Sequence, residues 1–299
     1  MALSVDFAFE GFRLIRERPS LIGWWGAVLL IALVLSTALL MSVAGPEWNA
    51  FIQGQLPKEP EKTAELLMRL GPAYLLALMI TLMFSAIITC AIYRAVLGGH
   101  SDRFGFLRLG GDELRQVALS FVLALIIIVV TVVSAIVLSL FGGLLSLLVG
   151  AVSKAIVPVI GTLTMAVAMI FNIWLMVRLS MVSVQSFDEG HFNLTGSIRL
   201  THGRFWSLLG GFGVAFLMAM VVSILAQVVY MAMAALITGK DVVTVDEVPL
   251  PDVSQLANIL EPLTGVYLLV NGVIAPLTTA ILIGAVASAY QMLKKEQPK

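Results

Sequence analysis

Long apolar runs separated by short polar segments recur along the whole chain. Each run reaches the roughly 20 residues that an α-helix needs to cross about 30 Å of hydrocarbon. No charged residue or histidine interrupts the runs. The pattern predicts six transmembrane helices, at residues 21–43, 72–93, 117–141, 157–177, 207–237 and 263–293.

Two stretches between these runs allow more than one interpretation. The first, 142–158, contains several glycines, a lysine and a proline. We interpret it as a short interfacial helix, with a re-entrant element as the alternative, which needs a cavity to satisfy its backbone. The second, 240–261, carries Pro249 and Pro251 and is expected to form a short cap or a docking strand.

The composition agrees with a chain that is embedded in a bilayer. Of the 299 residues, 60 % are hydrophobic and only 12 % are charged, and the mean hydropathy is +1.01. Soluble domains carry about a quarter charged residues. We therefore predict one integral membrane domain over residues 1–299, an all-α bundle, and exclude a soluble enzyme. The net charge of zero gives no general attraction to nucleic acid.

Most of the 18 basic residues fall on segments that six spans would place on one side of the membrane. These segments are the N-terminal region, the loops after the second and fourth spans, and the C-terminal region. Acidic residues outnumber basic ones on the opposite side. The positive-inside rule then predicts that both termini lie in the cytoplasm.

The spans are predicted to form three hairpins, each preceded by a cytoplasmic amphipathic segment. The segments before the first and third hairpins align at three pairs of positions, Arg13 with Arg199, Arg18 with Arg204 and Ser20 with Ser207. Residues 1–20 are predicted to form an interfacial amphipathic helix. Its apolar stripe, expected to face lipid, comprises Val5, Phe9, Phe12 and Ile15.

No set of residues suited to catalysis is recognisable. The three histidines, His100, His191 and His202, lie in loops without metal-ligand spacing, and the single Cys90 cannot form an internal disulfide. The chain has no nucleophile elbow, phosphate-binding loop or dinucleotide fingerprint. We predict that it is not an enzyme and binds no metal or cofactor.

Three amide side chains lie within the predicted spans, where a bare amide is costly. They are Asn172, Gln227 and Asn271. Hydrogen bonding between helices is one interpretation, and a polar lining for a substrate cavity is the other.

One loop resembles a known family. Asp188-Glu189-Gly190, followed by SIRLTHGRFW at residues 197–206, is similar to a stretch of the bacterial membrane-domain family that includes YciC-like inner-membrane proteins. The same family includes the six-helix membrane region attached to some glycerophosphoryl diester phosphodiesterases. The resemblance implies the membrane module alone, because the phosphodiesterase chemistry of that family lies in a separate soluble domain. YRAVL at 93–97 and LRLGGDELR at 107–115 also resemble alphaproteobacterial membrane proteins.

The leading hypothesis is a non-catalytic multipass protein that engages phospholipids, with a role in membrane organisation or lipid handling. The predicted headgroup-binding residues are Arg199, Arg204, Trp206, Arg13, Arg16 and Arg18. One alternative is a transporter or channel for an uncharged or amphiphilic solute. Another is an accessory subunit, or a homo-oligomer, that docks through small residues such as Ala280, Gly284 and Ser288.

Overall fold

The computed structural model describes residues 5–55, 59–98, 103–150, 156–239 and 250–296. Within these ranges the chain is 89 % helical and contains no β-strand. Six of the described helices are long and apolar enough to cross a membrane. The predicted all-α architecture with six spans is therefore confirmed.

The described part of the chain consists mainly of α-helices, with three short 3-10 turns. The α-helices are α1 (Glu10–Glu17), α2 (Ser20–Ile52), α3 (Pro60–Leu97), α4 (Gly111–Gly150), α5 (Val157–Leu179), α6 (Val182–Glu189), α7 (Leu194–Leu200), α8 (Phe205–Thr238) and α9 (Pro262–Lys295). Short 3-10 turns cover Val5–Phe9, Arg103–Phe106 and Leu256–Leu260. Asn193 caps α7 by accepting a 2.8 Å hydrogen bond from the Gly196 N–H. Gly190, at φ 76°, ends α6.

Each predicted span lies within one helix, but the helices extend further. α4 continues without interruption through Gly142 and Gly143 to Gly150. The interfacial or re-entrant element predicted for 142–158 is therefore absent from 142–150, and 151–155 lie outside the described residues. An unbroken helix satisfies every backbone group in lipid, which outweighs the helix penalty of about 1 kcal/mol for each glycine.

The spans pair as three hairpins, α2–α3, α4–α5 and α8–α9, and α9 lies centrally, in contact with α2, α3 and α8. Small residues allow this close approach. A Cβ at Gly26 of α2 would lie 2.9 Å from the carbonyl oxygen of Gly272 of α9.

The two ends of the bundle differ in charge. One end, the basic end, contains residues 5–17, α6, α7, the last turns of α3 and α9 and the first turns of α4 and α8. Ion pairs across it join Arg94 to Glu113 and, at 2.5 Å, Lys294 to Asp188. The opposite end, the acidic end, includes Glu47, Glu61, Glu65, Asp252 and Glu261. The segments predicted to share a side do lie together.

The hydrophobic core is concentrated toward the basic end. A cluster there joins residues 5–17 to α3, α5, α6, α8 and α9 through Phe7, Tyr93, Val177, Met181, Leu208 and Ala285. Toward the acidic end, one cluster joins only α2 to α3, and another joins only α8 to α9. The helices are thus held together at the basic end and pair off toward the acidic end.

Residues 5–17 dock into the bundle. The buried side of the segment comprises Phe7, Ala8, Gly11, Leu14 and Ile15. Ile15 was predicted to face lipid, so that part of the prediction is wrong, whereas Val5, Phe9 and Phe12 are exposed. Glycine explains the docking face, because the backbone of Gly11 lies directly against that of Gly284, where no side chain would fit.

Residues 250–261 cover part of α2 at the acidic end. Val253 is buried, and its N–H donates a 3.2 Å hydrogen bond to Asn49 Oδ1. The carbonyl of Ser254 lies against Gly45, next to the non-helical backbone of Ala44. This part of the 240–261 segment forms a cap, whereas 240–249 lie outside the described residues.

Candidate functional site at the basic end

A buried ion pair joins the end of α3 to the start of α4. Arg94 is 2 % exposed and Glu113 is 5 % exposed. The Arg94 guanidinium donates to Glu113 Oε1 and, at 3.2 Å, to the carbonyl oxygen of Phe106. It also lies over the Phe187 ring, 5.6 Å from the centroid. A buried charge without a counter-ion is unfavourable, so separating Arg94 from Glu113 would be costly. The pair therefore anchors the α4–α5 hairpin to the core.

A polar network beside this pair connects α3, α4 and α6. The Ser183 hydroxyl accepts a hydrogen bond from Gln116 Nε2 and forms a 2.7 Å hydrogen bond with the Tyr93 hydroxyl. Tyr93 and Gln116 are both buried. Their polar atoms are thus satisfied inside the protein, and the network fixes α6 against the hairpin base.

Two residues of the 197–206 motif close the junction between α5 and α6. The Ser197 hydroxyl donates to the Arg178 carbonyl oxygen at 2.7 Å and accepts from the Met181 N–H at 3.2 Å. The buried Thr201 hydroxyl donates to the Ser197 carbonyl oxygen at 3.0 Å. The two Ser197 bonds satisfy a carbonyl group at the end of α5 and an N–H group at the start of α6, which helix ends leave unpaired.

The acidic residues before this motif hold neighbouring helices together. The Asp188 carboxylate accepts hydrogen bonds from the Tyr290 hydroxyl at 2.7 Å and from Lys294 Nζ at 2.5 Å, which attaches α6 to α9. Glu189 accepts from Gln185 Nε2 at 2.7 Å. The residues that carry the family resemblance therefore form a structural clamp between α5, α6, α7 and α9.

The other predicted residues of this motif face outward. Arg199 is exposed and forms no ion pair within the described ranges. With Thr195, Ile198 and His202 it lines a surface cleft of about 470 Å³. Trp206 is 79 % exposed.

The remaining predicted headgroup residues have partners or lie elsewhere. Arg204 pairs with Glu296 near the end of the chain. On the N-terminal segment, Arg13 pairs with Glu10, Arg18 lies 5.5 Å from the Phe106 ring centroid, and Arg16 is exposed. α1 packs against α2, α3 and α9, whereas α7 packs against α5 and α6. The two predicted sets thus lie on different parts of the basic end.

The three amides predicted within the spans share no hydrogen bond with one another in the described part of the chain. Asn172 Oδ1 accepts a 2.6 Å hydrogen bond from Thr131, which links α5 to α4. Asn271 donates to the Tyr267 carbonyl oxygen of its own helix at 2.8 Å, and Gln227 is exposed on α8. Asn172 thus serves helix packing, and none of the three lines the apolar groove of about 460 Å³ between α8 and α9.

Metal-binding groups do not converge in the part of the chain that the structure describes. No group of three His, Cys, Asp or Glu side chains there could hold a metal ion. His191 Nε2 lies 3.4 Å from Glu189 Oε2, which is a single contact. His100 lies outside the described residues, and the absence of enzymatic activity stays a prediction.

Sequence reasoning missed the buried residues of this site. Arg94 entered the sequence analysis as a positive charge and as part of YRAVL, and Glu113 as part of LRLGGDELR, but neither was assigned a role. Gln116 and Ser183 were not singled out. A signal was available, because Arg94 ends one span and Glu113 lies in the first turn of the next helix. An arginine and a carboxylate at facing ends of consecutive helices are candidates for a buried pair.

Comparisons with protein-family models, with curated proteins and with solved structures find no match to this chain. The resemblance carried by residues 188–190 and 197–206 therefore stays a prediction.

Proposed function

We propose that this chain is a multipass protein of the bacterial inner membrane, with both termini in the cytoplasm, which engages phospholipids through its basic end. In this proposal it has no catalytic role and serves membrane organisation or lipid handling. The headgroup contacts are Arg199, Arg204 and Trp206, with Arg13, Arg16 and Arg18 as a second set.

The division of roles within the 197–206 motif carries this proposal. Ser197 and Thr201 are buried and bonded to backbone, whereas Arg199 is exposed and unpaired within the described ranges and Trp206 is 79 % exposed. Internal packing therefore does not require Arg199 or Trp206. A guanidinium suits a lipid phosphate, and an exposed indole suits the headgroup level of a bilayer.

Other aromatic residues at this end support a membrane boundary there. Trp24 and Phe104 are both exposed, and their rings make an edge-to-face contact with centroids 5.5 Å apart. Tryptophan is enriched at both interfaces of a bilayer. The basic end thus combines cations with exposed aromatic rings, as headgroup binding requires.

The test compares R199Q with R69Q in the full-length protein, purified in mild detergent with phosphatidylglycerol added. Arg69 is the control, because its side chain is also exposed, at 64 %, but it pairs with Glu65 and lies toward the acidic end. Native mass spectrometry counts the retained lipids. We expect R199Q to weaken retention about fivefold, since a basic residue near an anionic surface contributes about 1 kcal/mol. Equal retention by R199Q, R69Q and the unmodified protein would contradict the proposal.

A further inference from the structure

Arg178, in the last turn of α5, is held differently from the other basic residues at this end. Its side chain is partly buried, and no carboxylate within the described ranges pairs with it. Its Nε is buried and has no hydrogen-bond partner there. Nη1 donates to Thr201 Oγ1 at 3.3 Å, and the guanidinium lies over Trp174, 5.6 Å from the ring centroid.

The contrast with neighbouring cations shows what Arg178 lacks. Arg94, Arg115, Arg204 and Lys294 each pair with a carboxylate. Arg199 has no such partner, but it is exposed, so water solvates its charge. A guanidinium that is withdrawn from water without a counter-ion is unfavourable. Arg178 therefore has an unmet requirement for an anion.

The surroundings indicate where that anion comes from. Val177 is the buried residue of α5, and Trp174, less than one turn away, is 41 % exposed. Deeper along the helix, Ile170 and Met169 are exposed apolar side chains. The guanidinium thus lies where α5 leaves the core and its surface turns toward lipid.

We infer that Arg178 binds the phosphate of a phospholipid, while Trp174 and the exposed apolar surface of α5 contact an acyl chain. This inference rests on the proposed function and names a site that is separate from Arg199. Arg199 lies about 200° around α7 from Thr201, so the two arginines occupy different faces of that helix.

The chemistry required is recognition of a phosphate oxyanion. The Nε edge of a guanidinium can donate two parallel hydrogen bonds to two oxygens of one phosphate. The Arg178 Nε has no partner in the described ranges and is enclosed, so binding through this edge requires the partly buried side chain to turn outward toward the phosphate. Inorganic phosphate offers the same oxygens, but only a lipid also uses the apolar surface next to Trp174.

The experiment measures binding of three probes to the full-length protein in detergent. The probes are phosphatidylglycerol, diacylglycerol with the same acyl chains, and inorganic phosphate. Native mass spectrometry reports the first bound lipid, and thermal unfolding reports stabilisation by each probe. The variants are R178Q, R178K and R199Q.

We expect the unmodified protein to bind phosphatidylglycerol more tightly than diacylglycerol. In R178Q we expect the ratio of the two affinities to fall about tenfold. R178K is expected to retain part of the preference, since a lysine keeps the charge but not the planar fork. R199Q is expected to lose weakly held lipids and to keep the first bound lipid. Inorganic phosphate is expected neither to stabilise the protein nor to displace the lipid.

Two results would overturn the inference. The first is an R178Q preference equal to that of the unmodified protein. The second is displacement of the lipid by millimolar inorganic phosphate, which would assign the site to the free ion. Loss of retention in R199Q with R178Q unchanged would refute the Arg178 site and leave the proposed function standing. No preference in the unmodified protein would refute both.

A folding defect does not make the test uninformative. If R178Q does not fold, R178K is used in its place, because it keeps the positive charge. An unchanged preference of R178K for phosphatidylglycerol over diacylglycerol would then overturn the inference. T201V serves as the structural control, since it removes the 3.3 Å bond to Arg178 and keeps the guanidinium. We expect T201V to lower the unfolding temperature without abolishing the preference for the phosphate-bearing lipid.

Discussion

Two hairpins of the bundle, α4–α5 and α8–α9, consist of long apolar helices and yet relate differently to the rest of the protein. In the most apolar stretches of α8 and α9, 22 % and 28 % of the residues are buried. In the corresponding stretches of α4 and α5 no residue is buried, although that of α4 is the most hydrophobic of all. Hydrophobicity therefore does not identify which helices form the core.

Small residues line the faces that α8 and α9 bury. They include Gly211, Ala215 and Ala219 of α8, four residues apart, and Ala280 and Gly284 of α9. Gly211 lies against the Phe7 ring, and Ala280 and Gly284 lie against Gly11, so these faces also receive residues 5–17. Such residues allow backbones to approach closely and gain dispersion contacts. In lipid, a large aliphatic side chain gains little from leaving the acyl chains for another apolar surface.

The α4–α5 hairpin is held mainly at its base. Within the hairpin, Gly142 packs against Thr164, and Thr131 bonds to Asn172. The buried residues that α4 offers to the core are Glu113, Gln116 and Leu119, all in its first turns. The hairpin thus depends on polar contacts at the basic end, whereas α8–α9 depends on close packing along its length.

Breaking the buried ion pair should have the largest effect on this contrast. Glu113→Leu leaves the buried Arg94 guanidinium with only the half-exposed Asp112, at 3.6 Å, as a counter-ion, which should lower the free energy of unfolding by about 3 kcal/mol. Thermal unfolding in detergent, followed by circular dichroism, measures it. Asp112→Leu is the control, because Asp112 is about half exposed and its pairs are weak. If the double variant R94L/E113L is no more stable than E113L, the ion-pair account is incorrect.

A methyl group added at the centre of the close packing should have the next largest effect. In Gly284→Ala the new Cβ would lie 2.6 Å from the Cα of Gly11, which forces residues 5–17 away from α9. We expect a loss of about 1–3 kcal/mol. Gly265→Ala on the same helix and Gly143→Ala on α4 are controls, because nothing lies within 4 Å of a Cβ at either position. Equal melting temperatures for all three variants would contradict the packing account.

The smallest effect is expected inside the α4–α5 hairpin. Asn172→Leu removes the 2.6 Å hydrogen bond from Thr131, and bonds of this kind in membranes contribute about 0.6 kcal/mol on average. A double-mutant cycle with Thr131→Val isolates that term. A coupling above about 2 kcal/mol would mean that the α4–α5 hairpin is held along its length and not mainly at its base.

The spans and the basic end were predictable, because both depend on features that lie close together in sequence. Apolar runs define the six helices, and the arginines flanking them define the shared side. The docked face of residues 5–17 was not predictable, because Gly11 is buried against Ala280, Ile281 and Gly284 of α9, which lie far away in the sequence. A helical stripe identifies an apolar face, but it does not distinguish lipid from protein as its partner.

The candidate site was predictable only in its exposed part. Arg199 and Trp206 stand out as a cation and an aromatic residue at a membrane boundary. The roles of Ser197 and Thr201 depend on the junction between α5 and α6, which residue spacing does not reveal. Arg178 is distinguished by the absence of a carboxylate partner within the described ranges, and this absence is visible only once the helices are packed.

The central claim is that the basic end holds phospholipid, and the most direct measurement is native mass spectrometry of the protein released from its own membrane with minimal detergent. The account predicts a discrete bound mass that matches one class of phospholipid and that falls in abundance when Arg178 and Arg199 are both replaced by Gln. A bare protein that carries only bulk lipid, unchanged by those substitutions, would contradict it.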